Sequence, residues 1–189
     1  MELRFGGTLP ATFAALLILG SGSIAMPQRV SDPDTLAPAY PTPETVVDQM
    51  LTAARIKPGE VVYDLGCGDG RIVIAAAQKF HAHAVGIEIR RDIYEKTAAH
   101  VQSLGLASQV KIVLGNALRY DVSPADVVTL YLLTSSNDRL KPELEKYLKP
   151  TARVVSHDYE IRGWKAETVS HMVVEGRPHT VYVYRMSTK

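Results

Sequence analysis

The chain has 189 residues, a net charge of +1 and 22% charged residues, so it can bury a sizeable core and shows none of the basic excess that marks a polyanion-binding protein. Its single cysteine, Cys67, excludes an internal disulfide framework and a cysteine-based zinc site. No nucleic-acid partner is indicated, and a monomer is expected.

From Phe5 to Gln28 there is no charged residue, and Leu9 to Leu19 is apolar apart from Pro10 and Thr12. Arg4 precedes this run and Ser23-Ile24-Ala25 follows it, the arrangement of a signal peptide with cleavage after Ala25. Gly20 to Ser23 interrupt the run before the roughly 20 residues of a spanning helix are reached. Residues 1–26 are therefore expected to be a signal peptide or a membrane anchor. Membrane association is the favoured location and export after cleavage the alternative. Residues 27–39, with three prolines and two aspartates, read as a linker, and residues 40–189 as one folded domain.

Within the domain, Thr42-Pro43 suits the start of a helix over Glu44–Arg55. Val61-Val62-Tyr63 is a buried strand ending in Asp64. Glycines follow on alternate positions at Gly66, Gly68 and Gly70, and Arg71 opens an apolar helix. Three glycines in five residues suit a backbone that takes unusual dihedrals or lets a ligand approach closely, and the helix start behind them favours an anionic group. Ala84 to Ile89 is a second strand carrying Glu88. A third helix runs from Asp92 to about Leu104. Strands are expected at Val110–Leu114, Asp126–Leu133 and Ala152–Ser156, with a helix at Lys141–Leu148. Thr168–Val174 and Thr180–Arg185 alternate and should close the domain as an antiparallel hairpin across residues 175–179, with only a loop or a single turn between Ser156 and Thr168. The alternation predicts an α/β fold, doubly wound around a mostly parallel seven-stranded sheet, with its ligand at the carboxyl ends of the strands.

The glycine spacing separates two cofactor classes. Dinucleotide sites use G-x-G-x-x-G, whereas this chain has D-x-G-x-G-x-G, and Asp64 suits a ligand carrying an ammonium or sulfonium group better than a pyrophosphate. Glu88, 24 residues beyond Asp64, is placed to accept hydrogen bonds from a ribose diol. The motif resembles that of the class I methyltransferases dependent on S-adenosylmethionine (SAM), which implies SAM as cofactor and a Rossmann-like fold. The segments YPTPETVVDQML, VVYDLGCGDGRIVIAAA, ADVVTLYLL, LKPTARVVSHDYE and Trp164 together resemble the small family that includes the lysine methyltransferase of the ATP synthase c subunit and its bacterial relatives. Thr151 and Thr134-Ser135-Ser136 depart from that family's usual pattern, the second where an acceptor would enter.

The resemblance implies methyl transfer to a protein lysine side chain, with a membrane protein as the candidate substrate. A small-molecule N- or O-methyltransferase, a nucleotide-cofactor oxidoreductase and a non-catalytic cofactor-binding module are the alternatives. The expected cofactor residues are Tyr40, Asp64, Gly66, Cys67, Gly68, Gly70, Glu88, Ile89, Asn116 and Ala117, with Asn116-Ala117 placed where the family holds adenine. On the acceptor side, Tyr131 can line the path, and His157, at the end of the fifth strand beside Asp158, can orient substrate or take a proton. The six histidines are scattered along the chain and His81-Ala82-His83 lacks further neighbouring ligands, so no metal site is expected.

Overall fold

The computed structural model describes residues 35–38 and 40–186. Helix α1 (Glu44–Ala53) follows Pro43 and buries Val46, Val47, Met50 and Leu51 on one face. Strand β1 (Val61–Leu65), helix α2 (Arg71–Phe80), strand β2 (His83–Glu88), helix α3 (Arg91–Ser103) and strand β3 (Val110–Leu114) form the first half of the winding. A 3₁₀ turn (Ala117–Arg119), strand β4 (Val127–Leu130), helix α4 (Thr134–Tyr147) and strand β5 (Arg153–His157) form the second. Strands β6 (Thr168–Val174) and β7 (Arg177–Arg185) close the chain.

The sheet order is β3-β2-β1-β4-β5-β7-β6. β1 pairs in parallel with both β2 and β4, while β7 runs antiparallel to β5 and β6. The expected α/β class, the seven strands and the closing hairpin are thus all present. Two apolar layers cover the sheet, as burial on both faces requires. One packs α1, α2 and Val101 of α3 against Val62, Val127, Val155 and Val181; the other packs Leu140 and Leu144 of α4 with Trp164 against Leu65, Leu130, Val154 and Tyr184. No helix lies between β5 and β6.

Three elements differ from the sequence expectation; the first is β4, which ends at Leu130 rather than Leu133 because Leu133 already stands at the N-terminus of α4. α4 begins at Thr134 rather than Lys141, although Thr134-Ser135-Ser136-Asn137-Asp138 has the polar composition of a turn and Pro142 lies inside the helix. Tertiary burial outweighs that weak propensity: Ser136 and Asn137 are buried, the Asn137 amide donates to the carbonyl of Tyr159 at 3.2 Å, and Ser136 Oγ donates to the carbonyl of Leu36. β7 begins at Arg177 rather than Thr180 because the hairpin turn is only Glu175-Gly176, both at positive φ (52° and 75°), the backbone of a tight two-residue connection.

Among the described residues no helix is long and apolar enough to cross a membrane. That finding corrects the expectation of membrane association. The reading of residues 1–26 as a signal peptide or anchor falls outside the described residues.

Candidate active site

Parallel pairing of β1 with β2 sets Asp64 opposite Gly86 and Leu65 opposite Ile87, so Asp64 and Glu88 emerge from adjacent strands at the same carboxyl edge. The glycine loop is fastened to that edge by backbone and by carboxylate. The N–H groups of Gly66 and Cys67 both donate to the carbonyl of Ile87, at 2.9 and 3.0 Å. Glu88 accepts from the N–H of Gly68 at 3.0 Å through one oxygen and from that of Arg90 at 2.8 Å through the other. Each carboxylate oxygen keeps a second lone pair for a ligand hydroxyl.

Two glycines set the closeness of this packing. A methyl group on Gly86 would lie 2.7 Å from Cys67 Sγ, so the loop reaches β2 only because position 86 has no side chain. Cys67 therefore fills space; it is buried, burial pushes its thiol pKa well up, and it is not a nucleophile. Gly70 has φ of 79°, and a methyl group there would lie 2.7 Å from Thr97 Cγ2, so Gly70 serves the contact between α2 and α3. Thr97 itself donates to the carbonyl of Gly68 at 2.7 Å, holding the loop from the α3 side.

A cavity of about 450 Å³ opens over this edge, the size of a small-molecule site. Of the residues expected to hold a cofactor, Asp64, Gly66, Cys67, Gly68, Glu88 and Ile89 line it, as do Ala117 and Tyr40. Tyr40 stands at its mouth with 71% of its surface exposed. Gly70 and Asn116 are not in the lining. The Asn116 oxygen accepts from the N–H of Leu118 at 2.9 Å and caps the 3₁₀ turn, leaving the flanking Gly115 and Ala117 to form that wall.

Asp64 is the unusual electrostatic feature. It is almost fully buried, and Thr129, its register partner on β4, donates to it at 2.7 Å. Burial raises its pKa from 3.8 to about 7; the Thr129 hydrogen bond opposes the rise, and the negative charges of Asp69 and Glu88 add to it. A buried carboxylate in this condition lacks a cation. SAM brings an ammonium and a sulfonium together with a ribose diol, so the Asp64 and Glu88 pair at the rim of a cavity of this size fits it.

The acceptor side differs from the sequence expectation in one residue. Tyr131, just past β4, lines the cavity. His157 does not: its side chain is fully buried, with its ring stacked on that of Tyr131 at a centroid distance of 3.9 Å and an interplanar angle of 30°. Burial lowers its pKa to about 4, with Asp158 acting upward and His179 downward. His157 is accordingly a neutral support behind Tyr131, and the expected contact with substrate is corrected. The Tyr131 pKa is raised by burial first and by Asp158 and Tyr159 next, so its hydroxyl stays protonated near neutral pH.

Sequence reasoning missed three contributions. Residues 35–38 line the cavity instead of leading away from it, and Leu36 is buried in the α4-side core. Arg71 ties the chain just before α1 to the glycine loop, donating to the carbonyl of Thr42 at 2.7 Å and to Asp69 at 3.0 Å. His179, 22 residues further along the chain, meets the His157-Asp158 pair in space, with its Nδ1 2.9 Å from His157 Nε2. No local pattern announces contacts that span 29 and 22 residues of chain.

A family model described as the ANTKMT methyltransferase domain matches residues 64–168. The chain is 48% identical over 148 residues to a protein-lysine N-methyltransferase of Saccharolobus islandicus (strain REY15A), covering 78% of this chain and 92% of that relative. It is 29% identical over 153 residues to the adenine nucleotide translocase lysine N-methyltransferase of Mus musculus, covering 81% and 64% of the two chains. Among solved structures it superposes with a TM-score of 0.74 and 42% identity on a Salinibacter ruber protein described as an RNA methyltransferase in complex with S-adenosyl-L-homocysteine, covering 79% of this chain and 95% of that one.

Proposed function

The chain belongs to the ANTKMT methyltransferase family and is a SAM-dependent methyltransferase, and from that premise we propose that its acceptor is the side-chain amine of lysine in a protein. The observation that carries the acceptor is the 48% identity to a protein-lysine N-methyltransferase across 78% of the chain.

In this reading Asp64 and Glu88 hold the cofactor through its cationic end and its ribose, while Gly66, Cys67 and Gly68 form the floor beneath it. Ile89 and Ala117 border the adenine side, and Tyr40 covers the mouth. Bound SAM supplies an electrophilic methyl group on a sulfonium. The protein's own task is to bring a neutral amine into line with that group. A lysine ammonium has a reference pKa of about 10.4, so the site must favour loss of its proton by desolvation. Tyr131, packed at a 30° tilt against buried His157, offers the amine an aromatic wall and a protonated hydroxyl. With His157 neutral and walled off, and Tyr131 a weak acid, the proton leaves to solvent through the cavity mouth. Positioning at near-attack distance then accounts for rate enhancement without a dedicated base.

Methylation of RNA is a second reading, favoured by the description of the 42% identical structure. The charge balance of +1 weighs against it, since phosphate binding draws on an excess of lysine and arginine. Incubating the protein with labelled SAM and a mixture of unmodified protein and RNA decides the matter. Protease-sensitive label that yields methyl-lysine on hydrolysis supports the proposal. Label removed by ribonuclease and not by protease overturns it.

A further inference from the structure

Behind Tyr131, on the side away from the cavity, three side chains converge from two strands. His157 ends β5, Asp158 follows it at φ of 59°, and His179 comes from β7. His157 Nε2 lies 2.9 Å from His179 Nδ1, and Asp158 Oδ2 lies 3.2 Å from each nitrogen. The imidazoles are almost wholly shielded (0% and 9% exposed), and the Asp158 side chain, 26% exposed, opens the cluster to solvent on one side.

Hydrogen bonding alone leaves one edge of this triangle unpaired. If His157 donates from Nδ1 to Thr42 Oγ1, 3.3 Å away, its Nε2 is a bare lone pair. The proton on His179 Nδ1 can then serve two edges at most, leaving His157 Nε2 and Asp158 Oδ2 with lone pairs facing at 3.2 Å. If both imidazoles turn an N–H inward, both can donate to Asp158 Oδ2, but the two N–H groups then oppose each other at 2.9 Å. No arrangement of two neutral imidazoles pairs all three edges.

A cation satisfies them together. Ligand atoms bonded at about 2.0 to 2.2 Å around a tetrahedral or octahedral ion stand roughly 2.8 to 3.6 Å apart, which is the spacing found here. The outer contacts have the right sense as well: Thr42 Oγ1 can accept from His157 Nδ1 and so fix Nε2 as the ligand, and the N–H of Thr180 donates to Asp158 Oδ1 at 2.8 Å, turning Oδ2 inward. We propose that His157 Nε2, His179 Nδ1 and Asp158 Oδ2 bind one first-row divalent cation of the zinc type, with its remaining positions open on the Asp158 side. Two imidazoles and one carboxylate suit such an ion better than magnesium or calcium, which favour all-oxygen sets. The ion would tie β5 to β7 and hold His157 under Tyr131, acting on the cavity wall without touching the reacting atoms. The binding proposal does not depend on the identity of the methyl acceptor.

The test uses the full chain stripped of metal with a chelator and titrated with Zn²⁺ by calorimetry and with Co²⁺ by visible absorption. One equivalent should bind, with d–d bands typical of nitrogen and oxygen ligation and a rise in melting temperature. Asp158→Asn and His179→Gln should each weaken binding at least roughly tenfold. Changing the exposed His81 and His171 to Ala should leave it intact. Wild-type protein that binds no Zn²⁺ overturns the proposal, as does binding that survives Asp158→Asn and His179→Gln while falling in the His81 or His171 variants. The wild-type Co²⁺ spectrum decides the case if a cluster variant does not fold.

Discussion

At the scale of single residues, Asp64 makes the sharpest predictions, because burial has moved its titration to about pH 7. Its folded value lies above the ordinary one of 3.8, so between about pH 4 and pH 7 the folded protein keeps a proton that the unfolded chain has released. Asp64 therefore costs stability progressively across that window, and above pH 7 the full cost, about 4 kcal/mol, is present. Asp64→Asn should raise the melting temperature of the cofactor-free protein more at pH 8 than at pH 5, and denaturation of both proteins across that range measures the difference. A variant stabilised equally at both pH values would contradict it. Binding a cationic ligand must displace the same proton, so SAM affinity of the wild type should fall by up to about tenfold per unit as pH drops below 7, a slope that Asp64→Asn removes. On the acceptor side, Tyr131→Phe keeps the stack on His157 and loses the hydroxyl; kcat should fall roughly tenfold or more while SAM affinity is unchanged, as single-turnover and binding measurements can separate. What was legible in the sequence was the placement of residues set by motif position, Asp64 and Glu88 above all, which line one cavity from adjacent strands. His157 was misread because its place at a strand end gave no hint that Tyr131 and Thr42 enclose it.

At the scale of elements, the glycine loop shows how little side chain the site can tolerate. The loop lies against β2 only through the gap at Gly86, and β1 and β2 carry Asp64 and Glu88, the two carboxylates proposed to hold the cofactor. Gly86→Ala should push Cys67 and its neighbours off β2, breaking the pair of N–H bonds to Ile87 and misplacing Gly68 relative to Glu88. The expected result is a loss of SAM affinity of tenfold or more with destabilisation of about 1 to 3 kcal/mol, as for other overpacked sites; unchanged binding would show that the close approach is dispensable. The loop, its strand and its helix were readable because local chemistry and tertiary role agree there. α4 was readable only in its second half, since the stretch from Thr134 to Asp138 is helical by virtue of buried contacts to Leu36 and Tyr159 that no local pattern encodes. The start of β7 was hidden for a related reason: Pro178 reads as turn, while the turn itself needs only the two positive-φ residues before it.

At the scale of the whole molecule, the sheet order β3-β2-β1-β4-β5-β7-β6 puts the reversal of winding beside β1, so the ligand crevice falls where Asp64 and Glu88 emerge. That much followed from the alternation of strands and helices. What did not follow was how residues 35–38 come to line the crevice, since Thr35-Leu36-Ala37-Pro38 is too short to carry a periodicity and Ser136, which holds Leu36, lies far along the chain. The central claim is that this crevice binds SAM through carboxylates on adjacent strand ends. Titrating SAM into wild-type protein and into Glu88→Gln by calorimetry at pH 8 tests it most directly, with NAD as the competing ligand. The account predicts one molar equivalent of SAM on the wild type, affinity roughly ten- to hundredfold lower in Glu88→Gln from the lost charged hydrogen-bond acceptor, and no NAD binding to either. Equal SAM affinity in both proteins, or binding of NAD without SAM, would contradict it.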